Sequence, residues 1–67
     1  MRLKDLREDN NLTQKAVAKY LNVKQNTYSQ YESEKRQIPL EALIALARFY
    51  NTSTDYILGL TDVDKAY

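Results

Sequence analysis

The residue types that usually carry covalent or metal chemistry are missing from this chain, which has no Cys and no His. Their absence removes disulfides, thiolate nucleophiles, imidazole metal sites and every triad or acid/base pair built on His. No nucleophile is paired with a base and no Gly-rich phosphate loop is present, so no enzymatic activity, cofactor or metal is expected. The chain offers instead a cluster of polar, almost uncharged side chains, Gln25, Asn26, Ser29 and Gln30, with Lys24 before them and Lys35 and Arg36 after them. Groups of this kind recognise by hydrogen bonding and by charge, without making or breaking bonds.

The elements that must hold these side chains are helical. A chain of 67 residues with one Gly and one Pro, rich in Leu, Ala, Lys, Glu and Gln, forms one domain with a small core and has little reason to form strands. The net charge is only +1, but it is unevenly spread: residues 1–36 hold eight Lys/Arg against five Asp/Glu, and residues 37–67 hold two against four. The N-terminal half can therefore carry a basic face that the total conceals. The charged stretch Met1 to Asn10 is unlike a signal peptide, and no run approaches the ~18 apolar residues of a membrane span, so a cytoplasmic location is expected.

Periodicity places five helices. Leu3 and Leu6 start the first, which fades at Asn10-Asn11. Thr13 caps a second with Val17, Ala18 and Leu21 on one stripe, and Asn22 stands where a left-handed residue would turn the chain sharply. A third helix runs from Gln25 to about Ser33, with Tyr28, Tyr31 and Glu32 inward and the amides outward. Ile38-Pro39 opens a fourth, carrying Leu40, Leu43, Ile44, Leu46, Ala47 and Tyr50. Ser53 caps a short fifth with Tyr56, Ile57 and Leu58, closed by Gly59. The domain is read as residues 1–60, followed by a flexible tail, 61–67.

Two short helices joined by a three-residue turn, the second with a polar outward face, match helix-turn-helix geometry. Ala18 lies where the two helices cross, Asn22 tolerates the turn, Val23 plugs the corner and Tyr28 anchors the third helix from beneath. Thr13-Gln14, Ala18, Leu21-Asn22-Val23, Thr27-Tyr28-Ser29, Tyr31-Glu32, Lys35-Arg36, Ile38-Pro39, Leu46-Ala47 and Ser53-Thr54-Asp55-Tyr56 follow one pattern in order. In these residues the chain resembles the Cro/cI-repressor-type, or xenobiotic-response-element, helix-turn-helix proteins over nearly all of residues 1–60. It is similar to small regulators of Gram-positive bacteria, their phages and mobile elements.

The resemblance implies an all-α, five-helix, lambda-repressor-like domain that binds double-stranded DNA and regulates transcription, most simply as a repressor, with the third helix in the major groove. By position it makes Lys24, Gln25, Asn26 and Gln30 base-edge readers and Gln14, Thr27, Lys35 and Arg36 phosphate contacts. The chemistry agrees: Gln and Asn match the donor and acceptor pair of adenine, and Lys can serve guanine O6 and N7. Arg7 and Glu32 are expected to pair and so to orient the reading helix. A palindromic operator with half-sites about one turn (~10 bp) apart implies a homodimer, for which Tyr56, Ile57, Leu58 and Leu60 of helix 5 and the tail are the candidate surface. No small-molecule ligand is implied.

Three residues depart from the pattern. Ala16 replaces the Glu that would complete a capping box with Thr13, Asn22 replaces a common Gly, and Glu34 replaces the usual Gly after the third helix at a strain of up to about 1 kcal/mol. Lys24 occupies a cap position usually held by Ser or Thr; a cation there opposes the helix dipole, leaving contact with DNA or simple tolerance as the two readings. Tyr28, Tyr31, Tyr50 and Tyr56 fall on inward stripes, whereas Tyr20 and Tyr67 have no assigned place. The near-neutral charge suits a competing reading, an antitoxin or other protein-interaction module on the same fold.

Overall fold

The computed structural model describes residues 1–66; Tyr67 lies outside the described residues. Five helices and no strands occur among them: α1 (Leu3–Asp9), α2 (Gln14–Leu21), α3 (Gln25–Glu32), α4 (Leu40–Phe49) and α5 (Thr54–Leu58). The N-terminal ends expected from hydroxyl caps are made. Thr13 Oγ1 accepts from Ala16 N–H at 3.0 Å, and Ser53 Oγ accepts from Tyr56 N–H at 3.0 Å. Lys24 and Pro39 start α3 and α4 from extended backbone without a side-chain cap.

All five helices stop by the same device. A left-handed residue follows each: Asn11, Asn22, Glu34, Asn51 and Gly59 in turn. The next N–H then reaches back to the carbonyl five residues earlier: Leu12 to Arg7, Val23 to Ala18, Lys35 to Gln30, Thr52 to Ala47 and Leu60 to Asp55. These bonds satisfy carbonyls that the helix leaves open, and Asn and Gly take the conformation at least cost. Glu34, at φ 61°, is the odd member of the set.

The core collects one stripe from each helix: Leu3, Val17 and Ala18, Tyr28 and Tyr31, Leu43, Leu46 and Ala47, and Ile57, with Ile38 between α3 and α4. Leu6, Leu12, Leu21, Val23, Ala42 and Tyr50 pack around it. Three apolar expectations are corrected. Leu40 is 70% and Ile44 38% exposed, because the α4 stripe that faces inward is centred on Leu43, Leu46 and Ala47. Ile57 is 0% exposed and belongs to the protein's own core, so it is removed from any dimer surface. Leu58 and Leu60 are exposed.

Tyr20, unassigned from sequence, packs its ring against Phe49 with centroids 4.3 Å apart. Arg2 gathers the segment after α5. Its guanidinium lies 4.2 Å from the centroid of the Tyr56 ring and donates to Thr61 O at 3.1 Å and Asp62 Oδ1 at 2.7 Å, while its N–H donates to Ile57 O. The first residues of the expected tail are thus tied to the N-terminus.

Candidate nucleic-acid interface

The surface around Asn22 is built from α2, α3 and the turn between them. Ala18 is buried where α2 meets α3, and its small side chain lets the helices approach; half-buried Val23 fills the corner. Asn22 at φ 59°, ψ 43° redirects the chain. Tyr28 and Tyr31 fix α3 from beneath, packed edge to face at 6.5 Å. The opposite side of α3 is left to solvent: Gln25 and Asn26 are exposed, and Thr27, Ser29 and Gln30 are half-buried.

An ion pair links the last residue of α3 to α1. Arg7 Nε donates to Glu32 Oε2 at 2.6 Å, Arg7 Nη2 donates to Glu32 Oε1 at 3.2 Å, and Arg7 Nη1 donates to Leu12 O at 3.0 Å. Only 12% of the Arg7 side chain and 5% of the Glu32 side chain are exposed. Gln14 Nε2 joins the pair, donating to Glu32 Oε1 at 3.1 Å. Burial pushes the Glu32 carboxyl up, but the Arg7 guanidinium, helped by the Tyr28 hydroxyl and the Gln14 amide, reverses this and leaves it below its ordinary value. The Glu32 partner likewise raises Arg7. The Tyr28 hydroxyl stands near enough to steady the Glu32 charge, yet it makes no hydrogen bond of acceptable geometry among the described residues. Burial, and then Glu32, push its ionisation far up.

Of the open hollows that border the turn and α3, three divide the residues singled out from sequence. Lys24, Asn26, Thr27, Gln30 and Arg36 line one hollow together with Asn22, Val23 and Tyr31. Gln25 lines a second, with Lys15 and Lys19 of α2. Gln14 lines a third, with Lys4, Arg7, Ser29, Glu32 and Ser33. Lys35 is exposed beyond Glu34 and lines none of these three. Sequence reasoning missed Lys4, Lys15, Lys19 and Ser33. Lys15 and Lys19 were within reach, being one turn apart and off the Val17-Ala18 stripe; Lys4 gave no such signal.

The electrostatics single out the same region. Arg2, Arg7 and the N-terminal amine are paired with Asp62, Glu32 and Glu34, whereas Lys4, Lys15, Lys19, Lys24, Lys35 and Arg36 make no ion pair among the described residues. The six unpaired cations outnumber the unpaired carboxylates Asp5, Glu8 and Asp9 of α1, and the net positive charge lies beside a neutral amide face. No group of His, Cys, Asp or Glu among the described residues could hold a metal ion, and no helix is long and apolar enough to cross a membrane.

Two helices hinged on a left-handed residue, the first braced across the second and the second exposing a polar face, define the helix-turn-helix class. The chain belongs to the helix-turn-helix family, whose model matches residues 3–57. In Bacillus subtilis (strain 168) it is similar to the uncharacterised HTH-type transcriptional regulator YobD, with 44% identity over 61 residues covering 91% of this chain and 54% of YobD. It is also 42% identical over 64 residues to the HTH-type transcriptional regulator ImmR, covering 96% of this chain and 50% of ImmR. A third relative, the HTH-type transcriptional regulator AnsR, is 40% identical over 58 residues, 87% of this chain and 50% of AnsR. The chain thus spans about half the length of the curated relatives it matches. No solved structure matches it.

Proposed function

We propose that this chain is the DNA-binding domain of a bacterial transcriptional regulator, acting in the cytoplasm as a repressor. In this reading α3 enters the major groove of a double-stranded operator. Lys24, Gln25, Asn26 and Gln30 reach base edges, and Gln14, Thr27, Lys35 and Arg36 hold phosphates. The observation that carries it is the placement of a neutral, amide-bearing helix face between unpaired cations. Charge contributes affinity for any duplex, and the amides discriminate among sequences.

A palindromic operator read by a homodimer fits the small size of the reading surface, since one α3 spans only a few base pairs. Exposed Leu58 and Leu60 favour α5 and the segment after it as the dimer face. Binding to duplexes selected from a random pool, followed as a function of salt, tests the proposal. Phosphate contacts require log K to fall steeply with log salt, by nearly one unit per neutralised phosphate.

One observation favours a second reading, a protein-interaction module. The hollow lined by Met1, Ile38, Leu40, Leu43 and Leu58 is apolar and open, with Glu34 and Arg36 at its rim. A flat salt response with no selected sequence would favour that reading over DNA.

A further inference from the structure

Between the end of α2 and the start of α4 lies an open hollow of about 380 Å³ that the DNA-binding reading does not use. Its volume falls within the roughly 300–1,000 Å³ of small-molecule sites. It is no larger than about one turn of a helix 10 Å across, so it suits a small molecule better than a partner's helix. Tyr20 and Tyr31 bring aromatic surface to it, Leu21, Val23 and Ala42 bring aliphatic surface, and Glu41 brings a carboxylate. Tyr20 is 48% exposed yet held in place: its ring packs on Phe49 with centroids 4.3 Å apart, and its hydroxyl donates a long 3.5 Å bond to Ala45 O.

Charge decides what such a hollow takes. Among the described residues Glu41 makes no ion pair, and no other ionised side chain lines the hollow. The hollows that hold Lys4, Lys15, Lys24 or Arg36 all carry cations and so repel positive ligands. Aromatic rings and a lone carboxylate on an apolar surface recognise an organic cation: the rings attract its charge and cover its hydrocarbon, and the carboxylate supplies the counter-charge. We infer that this hollow binds a small organic ammonium ion, a charged head on an aromatic or short alkyl body. A neutral molecule of the same shape gains the burial without the charge attraction, and an anion is repelled by Glu41. The hollow also adjoins the α3 surface, because Val23 and Tyr31 line both it and the hollow that holds Lys24, Asn26 and Gln30. A molecule seated here therefore bears on the residue that fills the corner of the turn and on one that fixes α3 from beneath.

The test titrates the isotope-labelled full chain with benzyltrimethylammonium and follows the backbone amide resonances. Saturable shifts are expected at Leu21, Val23, Ala42 and Ala45, with a dissociation constant of about 1–10 mM for a ligand of this size. Benzyl alcohol, which lacks the charge, and phenylpropionate, which reverses it, should each bind about fivefold more weakly or worse. Glu41→Gln should weaken the cation about fivefold and leave benzyl alcohol unchanged, whereas Asp64→Asn, the same charge change in the segment after α5, should keep the parent affinity. Both carboxylates are exposed, so neither change disturbs the core, which circular dichroism checks. Equal binding of the three probes, or equal weakening by Glu41→Gln and Asp64→Asn, would overturn the site. Shifts at the same residues with a capped phenylalanyl-arginine dipeptide but not with benzyltrimethylammonium would overturn it too, and would assign the hollow to a partner protein. No DNA enters the experiment, so its failure leaves the DNA-binding reading as it stands.

Discussion

Arg7 and Glu32, 25 residues apart in the chain, meet at 2.6 Å and tie α1 to the last residue of α3. Neither charge is free in water, so the pair acts as a unit. Removing Arg7 alone strands the Glu32 carboxylate, and Arg7→Ala is expected to cost about 3 kcal/mol in urea unfolding. Replacing both, Arg7→Met with Glu32→Leu, should recover most of that loss while weakening operator binding, because the register of α3 is no longer fixed. Costs that simply add in the double variant would show that the two residues are uncoupled.

The same pair sets a pH dependence. Glu32 titrates below its ordinary value of 4.5 in the folded protein, because the hydrogen bonds from Arg7 and Gln14 outweigh the upward push of burial. A depressed carboxyl stabilises the fold above its unfolded pKa, and the contribution disappears as pH falls through the folded value. Thermal unfolding of the parent chain should thus lose stability on acidification below about pH 4.5. Glu32→Gln should be less stable at pH 7 and less sensitive to acid. Parallel pH profiles for the two proteins would contradict this.

Glu34 sits at φ 61° at the end of α3, where the other four helices use Asn or Gly. Relief of the left-handed strain predicts a gain of about 1 kcal/mol for Glu34→Gly in chemical denaturation. The same change removes a negative charge next to Lys35 and Arg36 and loses only a long 3.8 Å contact with the N-terminal amine, so DNA affinity should rise as well. Unchanged or lower stability would count against strain at this position.

Asn22 holds the bend between α2 and α3 in the left-handed conformation. Asn22→Gly is expected to leave both the fold and operator binding nearly unchanged, whereas Asn22→Val should destabilise by about 2 kcal/mol and impair binding further by misdirecting α3. Equal behaviour of the two variants would show that the turn does not depend on this conformation.

On the face of α3 proposed to read bases, Gln25→Ala and Gln30→Ala are each expected to lose about 1–3 kcal/mol on the preferred operator and to relax base preference, whereas Arg36→Ala should weaken all duplexes alike. Competition between selected and random DNA measures the distinction. The same proportional loss on both duplexes for all three variants would remove the division between base and phosphate contacts.

The amino-acid sequence by itself determined where the helices begin and end and which residue makes the bend. Caps such as Thr13 and Ser53, the turn at Asn22 and the stop at Gly59 act within a few residues, so their chemistry is local and readable in one dimension. Periodicity also separated the inward Tyr28 and Tyr31 from the outward amides. Tertiary structure decided what covers each stripe. Ile57 is enclosed while Leu58 beside it is exposed, and Ile44 falls outside the enclosed part of α4, because a helical period gives a direction but not the neighbours met there. Lys4, Ser29 and Ser33 line one hollow, and Arg2 meets Tyr56 and Asp62; these residues are far apart in the chain, so only the packing of the helices against one another could bring them together.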